Sequence, residues 1–336
     1  MRPITTLALV LFTFTLLLVG CRTDPNGPLP PAADRPEPTA SRFEFARIIM
    51  GSKARVVIYA QSEQDATTAA TNAFEEMSRQ NAILSDYDPS SESMQLVKKA
   101  PSEWHDVSPD LVEILALSRG VWEVSGGAFD PTIGPVTHLW RPAFKSGTLP
   151  DTDALDLALE RVGMQHLELD EEHSRIRFDR DGMLLDFGGV GKGFAAEKAL
   201  DVLREHGCPS ALVDLGGDLA LGNPPPGKEG WRVTIDNGLE LPHEVLLANV
   251  GVATSGDLYR HVEIDGVRYS HIVDPKTGLG LTRSVAVTVI APTPWLADAL
   301  ASAASVMGES GLETLQAAYP RAEIFLREAP EKPEIP

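Results

Sequence analysis

Residues 184–196, LLDFGGVGKGFAA, constrain this chain more than any other stretch, because four glycines fall within six positions between an apolar run and a helical pattern. The run ends in Asp186, and Lys192 stands alone among the glycines. This is a strand entering a Gly-rich turn that opens a helix. Such a turn lets backbone N–H groups approach a phosphate, and the helix N-terminus adds partial positive charge. The same pattern also serves as a plain connection. Its spacing is neither G-x-G-x-x-G nor G-x-x-x-x-G-K-[ST], so neither a dinucleotide-binding Rossmann unit nor a P-loop is supported.

A length of 336 residues allows one large domain or two moderate ones. With 29 basic and 48 acidic side chains the formal charge is −19, which argues against binding nucleic acid or anionic headgroups. An anionic ligand therefore needs a local cation. At the N-terminus Arg2 precedes an apolar run from Ile4 to Val19 that closes on Leu18-Val19-Gly20-Cys21. A short apolar stretch ending in small residues reads as a signal peptide, residues 1–20, rather than a membrane span. L-V-G-C resembles a bacterial lipobox, which makes Cys21 a lipidated first residue held to a membrane by acyl chains. The alternative is a signal peptide with an incidental cysteine. Cys208 then has no partner, so no disulfide is expected and it packs as a small apolar side chain. Residues 22–42 carry six prolines and form a stiff tether behind Cys21, and residues 328–336 read as a disordered tail.

Folded sequence begins near Phe43. Arg55 to Ala60 is a β-branched strand, and Ala70, Ala73, Phe74, Met77 and Ile83 recur at helical spacing from Glu63 to about Leu84. Ser108-Pro109 starts a helix that stops at Gly126-Gly127. Residues 127–135, GAFDPTIGP, are too rich in Gly and Pro for regular structure yet carry Phe129 and Ile133, as site-lining loops do. Asp151 caps a helix to Val162. Short strands follow at 166–169, 175–178 and 184–186, a helix at about 194–206, and strands at 211–214, 231–235 and 245–250. Residues 252–257 and 270–278 read as polar turns. Ser284–Ile290 is a strand, and Trp295–Met307 and Leu312–Ala318 are helices before a last strand, Glu323–Leu326. Hairpin-like runs mixed with helices predict an α+β fold of mixed or antiparallel sheets with packed helices.

Asp298 and Ser302 lie four apart on a helix whose other residues are almost all Ala, Leu and Val. A carboxylate there needs a partner, either a surface cation or a hard metal ion such as Mg²⁺ with its oxygen ligands. No His/Cys cluster has zinc spacing. His271 suits proton transfer near neutral pH or a hydrogen bond in its own turn. Thr254 and Ser255 suit a nucleophile, a phosphate donor or a simple turn. Tyr87 and Phe129 offer flat surfaces, for a ligand ring or for the core.

Taken together, GGAFDPTIGP, LLDFGGVGKGFAAEKA, LVDLGGDLALGNPPPG, VATSGDLYRHVEIDGVRYSHIVDPKTG and VTVIAPTPWLADALASAASVMG resemble the ApbE family, the FAD:protein FMN transferases, in order and spacing. The resemblance covers about residues 43–327 and implies a single two-lobed, T-fold-related catalytic domain. It also implies transfer of FMN from FAD to a threonine hydroxyl of an acceptor protein, with release of AMP. Typical acceptors are membrane redox subunits outside the cytoplasm carrying a D-G-x-[ST]-[ST]-A site. By motif position, Asp298, Ser302 and the carbonyl of Gly189 would bind Mg²⁺, with Mn²⁺ a possible substitute. The family usually has Thr where this chain has Ser302, and Ala or Thr near Gly189. FAD would be held by Met50, Tyr87, Ala128, Phe129, Asp130, Asp186, Lys192 and Ile272, with His271 as candidate base. Many members are lipoproteins, in keeping with Cys21 and an exported, lipid-anchored protein on an inner or outer bacterial membrane. The competing readings are an FAD pyrophosphatase yielding FMN and AMP, and a non-catalytic flavin-binding lipoprotein. A flavinylated electron carrier is disfavoured, since no D-G-x-[ST]-[ST]-A stretch occurs in this chain.

Overall fold

Val56 and Ile58 point to one face of a sheet and Val57 to the other, and all three are buried. That sheet is therefore covered on both sides. The computed structural model describes residues 40–235, 243–257 and 260–328. The signal peptide, Cys21 and nearly all of the tether lie outside these residues, and residues from Ala40 onward form one compact unit.

The strands are β1 (Ser41–Ile49), β2 (Ser52–Ala60), β3 (His105–Asp106), β4 (Leu167–Asp170), β5 (Arg175–Phe178), β6 (Ala211–Leu215), β7 (Asp218–Leu221), β8 (Trp231–Ile235), β9 (His243–Leu247), β10 (Val250–Gly256), β11 (His261–Ile264), β12 (Val267–Ser270), β13 (Val285–Ala291) and β14 (Glu323–Glu328). The helices are α1 (Glu63–Leu84), α2 (Glu92–Leu96), α3 (Pro109–Val124), α4 (Gly134–Ser146), α5 (Thr152–Leu159), α6 (Gly191–Glu205), α7 (Pro294–Met307) and α8 (Leu312–Ala318). Seven strands form the main sheet in the order β1-β2-β6-β7-β10-β13-β14, each neighbouring pair antiparallel. The fold is thus α+β with antiparallel sheets, as the order of elements predicts.

One face of the sheet carries α1 over β1 and β2, α6 over β6 and β7, and α7 over β10 and β13. Alanines at 66, 69, 70 and 73 of α1 and at 195, 196 and 199 of α6 let these helices pack closely, with Cys208 buried among them. The other face, with Val57, Leu212, Leu221 and Val252, is covered by the β8–β9 hairpin through Trp231, Val233 and Ile235. A further cluster joins α4 and α5 to the β11–β12 hairpin through Trp140, Leu155 and Ile264.

Helix starts follow their caps. Ser62 accepts from the Asp65 N–H at 3.1 Å, Ser108 from Leu111 at 3.3 Å and Asp151 from Ala154 at 3.0 Å. Several segments differ from expectation. The Gly/Pro-rich stretch ends in a helix, α4, with Pro135 in its first turn, Val136, Trp140 and Ala143 buried, and a left-handed Gly147 stop. Gly134 is required there, since a Cβ would lie 2.5 Å from the Leu184 carbonyl oxygen. Residues 252–257, expected as a turn, lie mostly in β10, where ladder pairing with β13 through Gly256, and with β7 at Val252, overrides their polar composition. Residues 184–186 make one parallel bridge, Leu184 to Ile133, rather than a strand. The expected strand at 245–250 is split by Asn249 in left-handed conformation, and the glycines open α6 three residues early, at Gly191. Glu328, placed in the tail, ends β14, and residues 329–336 lie outside the described residues.

The first turn of α7 is pinned from two sides. A Cβ on Gly193 of α6 would lie 2.4 Å from the Pro294 carbonyl oxygen, and one on Gly251 of β10 would lie 2.3 Å from the Pro294 Cα. Helix propensity alone favours Gly193→Ala by up to about 1 kcal/mol, whereas overpacking costs about 1–3 kcal/mol. The close approach is expected to win, so Gly193→Ala lowers the urea midpoint. An unchanged or higher midpoint would mean that α6 and α7 can separate freely.

Candidate active site

The Gly-rich turn is folded by its own Asp186. The Asp186 N–H donates to the Pro131 carbonyl at 2.7 Å, Oδ1 accepts from the Gly188 N–H at 2.8 Å, and Oδ2 accepts from the Thr137 hydroxyl of α4 at 2.7 Å. Burial, and then the neighbouring Asp86 charge, raise its pKa. The turn lies against α7, since a Cβ on Gly189 would stand 2.7 Å from Ser302 Oγ and 3.6 Å from the Phe129 ring. Asp298, one turn before Ser302 and buried, accepts from the Gly193 N–H at 3.0 Å through Oδ2. Among the described residues, neither its Oδ1 nor Ser302 Oγ has a hydrogen-bond partner.

That geometry tests the expected cation. Ser302 Oγ stands 2.7 Å from where a side chain at 189 would begin, and Asp298, one turn earlier on the same helix, keeps one carboxylate oxygen uncommitted; with the Gly189 carbonyl these offer hard oxygen donors. The residues fit Mg²⁺. Among the described residues no cluster of three or more His, Cys, Asp or Glu is set to hold a metal, so any ion here draws on hydroxyl and carbonyl oxygen.

Lys192 pairs with buried Asp218 at the start of β7. Burial opposes its charge, but Asp298 and Asp218 outweigh burial and hold its pKa above the usual lysine range. Asp218 is itself pushed up, by burial and by Asp298. The positive charges of Arg260 and Lys192 both disfavour protonation of His271, and Arg260 acts on Lys192 in the same sense. His271 donates from Nδ1 to the Arg260 carbonyl at 3.1 Å. This fixes the tautomer and leaves Nε2 with its lone pair. Burial and then Arg260 depress its pKa, so the ring is neutral at pH 7.

Around α4 stand Asp86, His138 and Arg141, which sequence reasoning missed, beside the expected Tyr87. Arg141 binds the Asp86 carboxylate, donates to the Asp86 carbonyl at 3.3 Å and to His138 Nε2 at 2.9 Å, and lies 3.8 Å above the Tyr87 ring. A 137/138/141 spacing would have put these side chains on one helix face, had the segment been read as a helix.

The expected residues fall unevenly. Met50 occupies a two-residue hairpin turn with Gly51, both at positive φ, its methyl 3.8 Å from where a Cβ on Gly191 would stand. A two-residue hairpin of this type requires positive φ at both central residues, and a methionine bears a cost there that glycine does not. Gly189, Lys192, Asp298, Ser302, Phe129 and Met50 gather at the start of α6, and Ile272 packs against the core cluster that holds Phe129. Ala128 is buried in the loop before α4. The Asp130 carboxylate is spent inside that loop, on Thr132 N–H at 2.8 Å, Thr132 hydroxyl at 2.6 Å and Met164 N–H at 3.3 Å. Any contact of Asp130 with a ligand would therefore be through its backbone. Thr254 pairs with Thr288 and Ser255 with Ser305, at 3.0 Å each, within the sheet and its helix layer.

A Gly-rich helix start that carries a charged lysine and faces a carboxylate–hydroxyl pair suits an enzyme acting on a phosphoryl group. The ApbE family model matches residues 50–326, and the chain belongs to that family. Among its relatives, the FAD:protein FMN transferase of Treponema pallidum is 34% identical over 79% of this chain and 79% of its own length. That of Klebsiella pneumoniae is 31% identical over 77% of each. Among solved structures, a histidine-to-glycine mutant of the flavin transferase ApbE from Vibrio cholerae aligns with TM-score 0.77 and 25% identity over 86% of this chain and 97% of that one. The apo flavinyl transferase ApbE of Pseudomonas stutzeri aligns with TM-score 0.74 and 28% identity over 83% and 89%.

Glu197 of α6 ties the two site helices together. Thr293, at the N-cap of α7, makes no capping bond with its side chain, and Glu197 accepts from the Trp295 N–H at 3.4 Å instead. Burial pushes Glu197 up to about 7. The folded state then holds a proton that the unfolded state releases near the ordinary glutamate value of 4.5, so stability falls as pH rises from 4.5 to about 7. Glu197→Gln keeps the acceptor and removes this loss. It is expected to match the parent near pH 4 and to exceed it by on the order of 2 kcal/mol at pH 8 in urea melts. Parallel stability profiles for the two proteins would refute the assignment.

Proposed function

We propose that this chain transfers FMN from FAD to a threonine hydroxyl of an acceptor protein and releases AMP. The observation that carries this is the packing of the Gly-rich start of α6 on α7, which sets Ser302 against Gly189 and Asp298 against Gly193 beside Lys192, with His271 keeping its Nε2 lone pair. The pyrophosphate of FAD would sit at the start of α6, where the helix dipole and Lys192 offset a chain charge of −19. Lys192 stays charged because Asp298 and Asp218 stabilise its proton. Asp298, Ser302 and the Gly189 carbonyl would hold Mg²⁺, or Mn²⁺ in its place. The bound ion would supply charge neutralisation for the phosphates and the leaving AMP.

The acceptor oxygen bonds to the phosphorus of the FMN half as the P–O bond to the AMP phosphate breaks. The threonine proton passes to His271 Nε2, and AMP leaves with the bridging oxygen. His271 is neutral at pH 7 because burial and Arg260 disfavour its charged form, so it is ready to accept that proton. Among other FAD contacts, Met50, Phe129, Ile272 and the backbone of residues 128–130 would line the dinucleotide, and Asp186 and Tyr87 would meet it from the α4 side. The L-V-G-C sequence supports export and acylation at Cys21, which would place the enzyme beside membrane redox subunits with a D-G-x-[ST]-[ST]-A site.

The test is incubation of the purified chain with FAD and Mg²⁺, with and without an acceptor domain carrying that motif, following AMP and covalent flavin by mass. AMP formed only with acceptor, together with an FMN increment on it, is the expected result. Free FMN and AMP without acceptor would make it a pyrophosphatase, and tight FAD with neither product a binding protein.

Two variants probe the roles. His271→Ala is expected to lower kcat by about 100-fold or more. In the parent, the acidic fall of kcat/KM should lie below the ordinary imidazole value of 6.5, because the ring must lose its proton to act and its pKa is depressed. Near-normal transfer by the variant at neutral pH would remove His271 from the chemistry. Asp298→Asn keeps an acceptor for the Gly193 N–H but removes the charge. It is expected to abolish the rise in melting temperature that Mg²⁺ gives the parent, and a rise that survives would place the ion elsewhere.

A further inference from the structure

Tyr87 is 74% exposed, yet its ring does not hang free, because the Arg141 guanidinium lies 3.8 Å from its centroid. Arg141 is fixed in turn by the buried Asp86 carboxylate and by its bonds to the Asp86 carbonyl and His138. Asp86 is the residue before Tyr87, so a single ion pair locks both the backbone turn and the plane of the ring. The turn is stiffened further by Ser85 Oγ, which accepts from the N–H groups of Tyr87 at 3.3 Å and Asp88 at 3.2 Å. Helix α4 is anchored to the Gly-rich turn by the Thr137–Asp186 bond of 2.7 Å. One face of the Tyr87 ring is therefore covered by a held cation, and so high an exposure leaves the other face to solvent.

We propose that Arg141 is a positioning residue for FAD recognition: it holds Tyr87 as a preformed platform on which one of the two ring systems of FAD stacks. The inference rests on the function proposed above, in that FAD is the ligand. A ring already fixed by a neighbour loses little freedom when a ligand stacks on it, which saves affinity that a free side chain would forfeit. A guanidinium behind the ring also draws electron density from it, which favours stacking of an electron-rich heterocycle on the open face. Lysine at 141 would keep the charge opposite Asp86 but lose both the planar stack and the fork that grips the carboxylate and carbonyl together.

The experiment is a double-mutant cycle on the full chain with Arg141→Lys, Tyr87→Leu and the pair, reading the FAD Kd by flavin fluorescence and kcat and KM by AMP release. Melting temperatures without FAD check that each variant is folded. Arg141→Lys is expected to raise the FAD Kd and KM about fivefold while leaving kcat within about twofold, and to leave the Kd nearly unchanged when Tyr87 is already leucine. A merely structural Arg141 would weaken FAD equally in both backgrounds, and that additivity would overturn the proposal, as would no effect in either. Failure of the unaltered chain to bind FAD would overturn the proposal and the function beneath it. Normal FMN transfer by the parent with an additive cycle would remove the platform alone.

Discussion

Pro294 is wedged between two backbones that have no side chains to keep it away. Gly193 admits it from α6 and Gly251 from β10, each at a distance that any Cβ would close to below 3 Å. Proline suits the first turn of a helix because its missing N–H and fixed φ cost nothing there. The wedge sets where α7 begins and how it faces α6. From there the period of the helix does the rest: Asp298 comes level with the Gly193 N–H, and Ser302, one turn on, with Gly189. A second pair of close approaches, at 189 and 193, leaves the two helices no freedom to slide. The alanines that fill α7 serve the same end, since larger side chains would push its oxygen donors away from the turn.

The electrostatics follow from that packing. A chain with a charge of −19 presents a hostile field to a pyrophosphate, and the local remedy is concentrated in Lys192, Arg260 and the N-terminus of α6. Lys192 is kept charged by two carboxylates rather than by water. Those carboxylates are not equivalent. Asp218 is paired directly with Lys192, whereas Asp298 gives one oxygen to a backbone N–H and keeps the other uncommitted among the described residues. A buried carboxylate with half its lone pairs unused is costly, and the cost has a natural remedy in a hard cation.

What the sequence revealed was mostly local. The Gly-rich turn, the caps at Ser108 and Asp151, and the i, i+4 pair of Asp298 and Ser302 depend on neighbours in the chain, so they could be read directly. The α4 helix could not, because Gly134 and Pro135 look like loop formers until the Leu184 backbone that demands a glycine is in place. Residues 252–257 look like a turn until β13 pairs with them. The Arg141–Asp86 pair spans 55 positions and the Glu197 cap on Trp295 spans 98, and no periodicity encodes contacts of that range. Asp130 shows the opposite case: the family resemblance names it as an FAD contact, and the fold leaves only its backbone for that, because the loop consumes the carboxylate to hold itself in shape.

Asp186 joins the two regions that these contacts build. Through Oδ1 it shapes the turn that faces Ser302 and Asp298, and through Oδ2 it holds α4, which carries Arg141 and so fixes Tyr87. Burial of this carboxylate beside Asp86 raises its pKa, which means that the folded state bears a cost for keeping it ionised. Packing alone would not demand that cost, since an apolar side chain could fill the same space. A group that needs its phosphates and its ring held in one fixed relation does demand a rigid link between the two regions. A carboxylate supplies it, because each of its oxygens can accept from a different element at once.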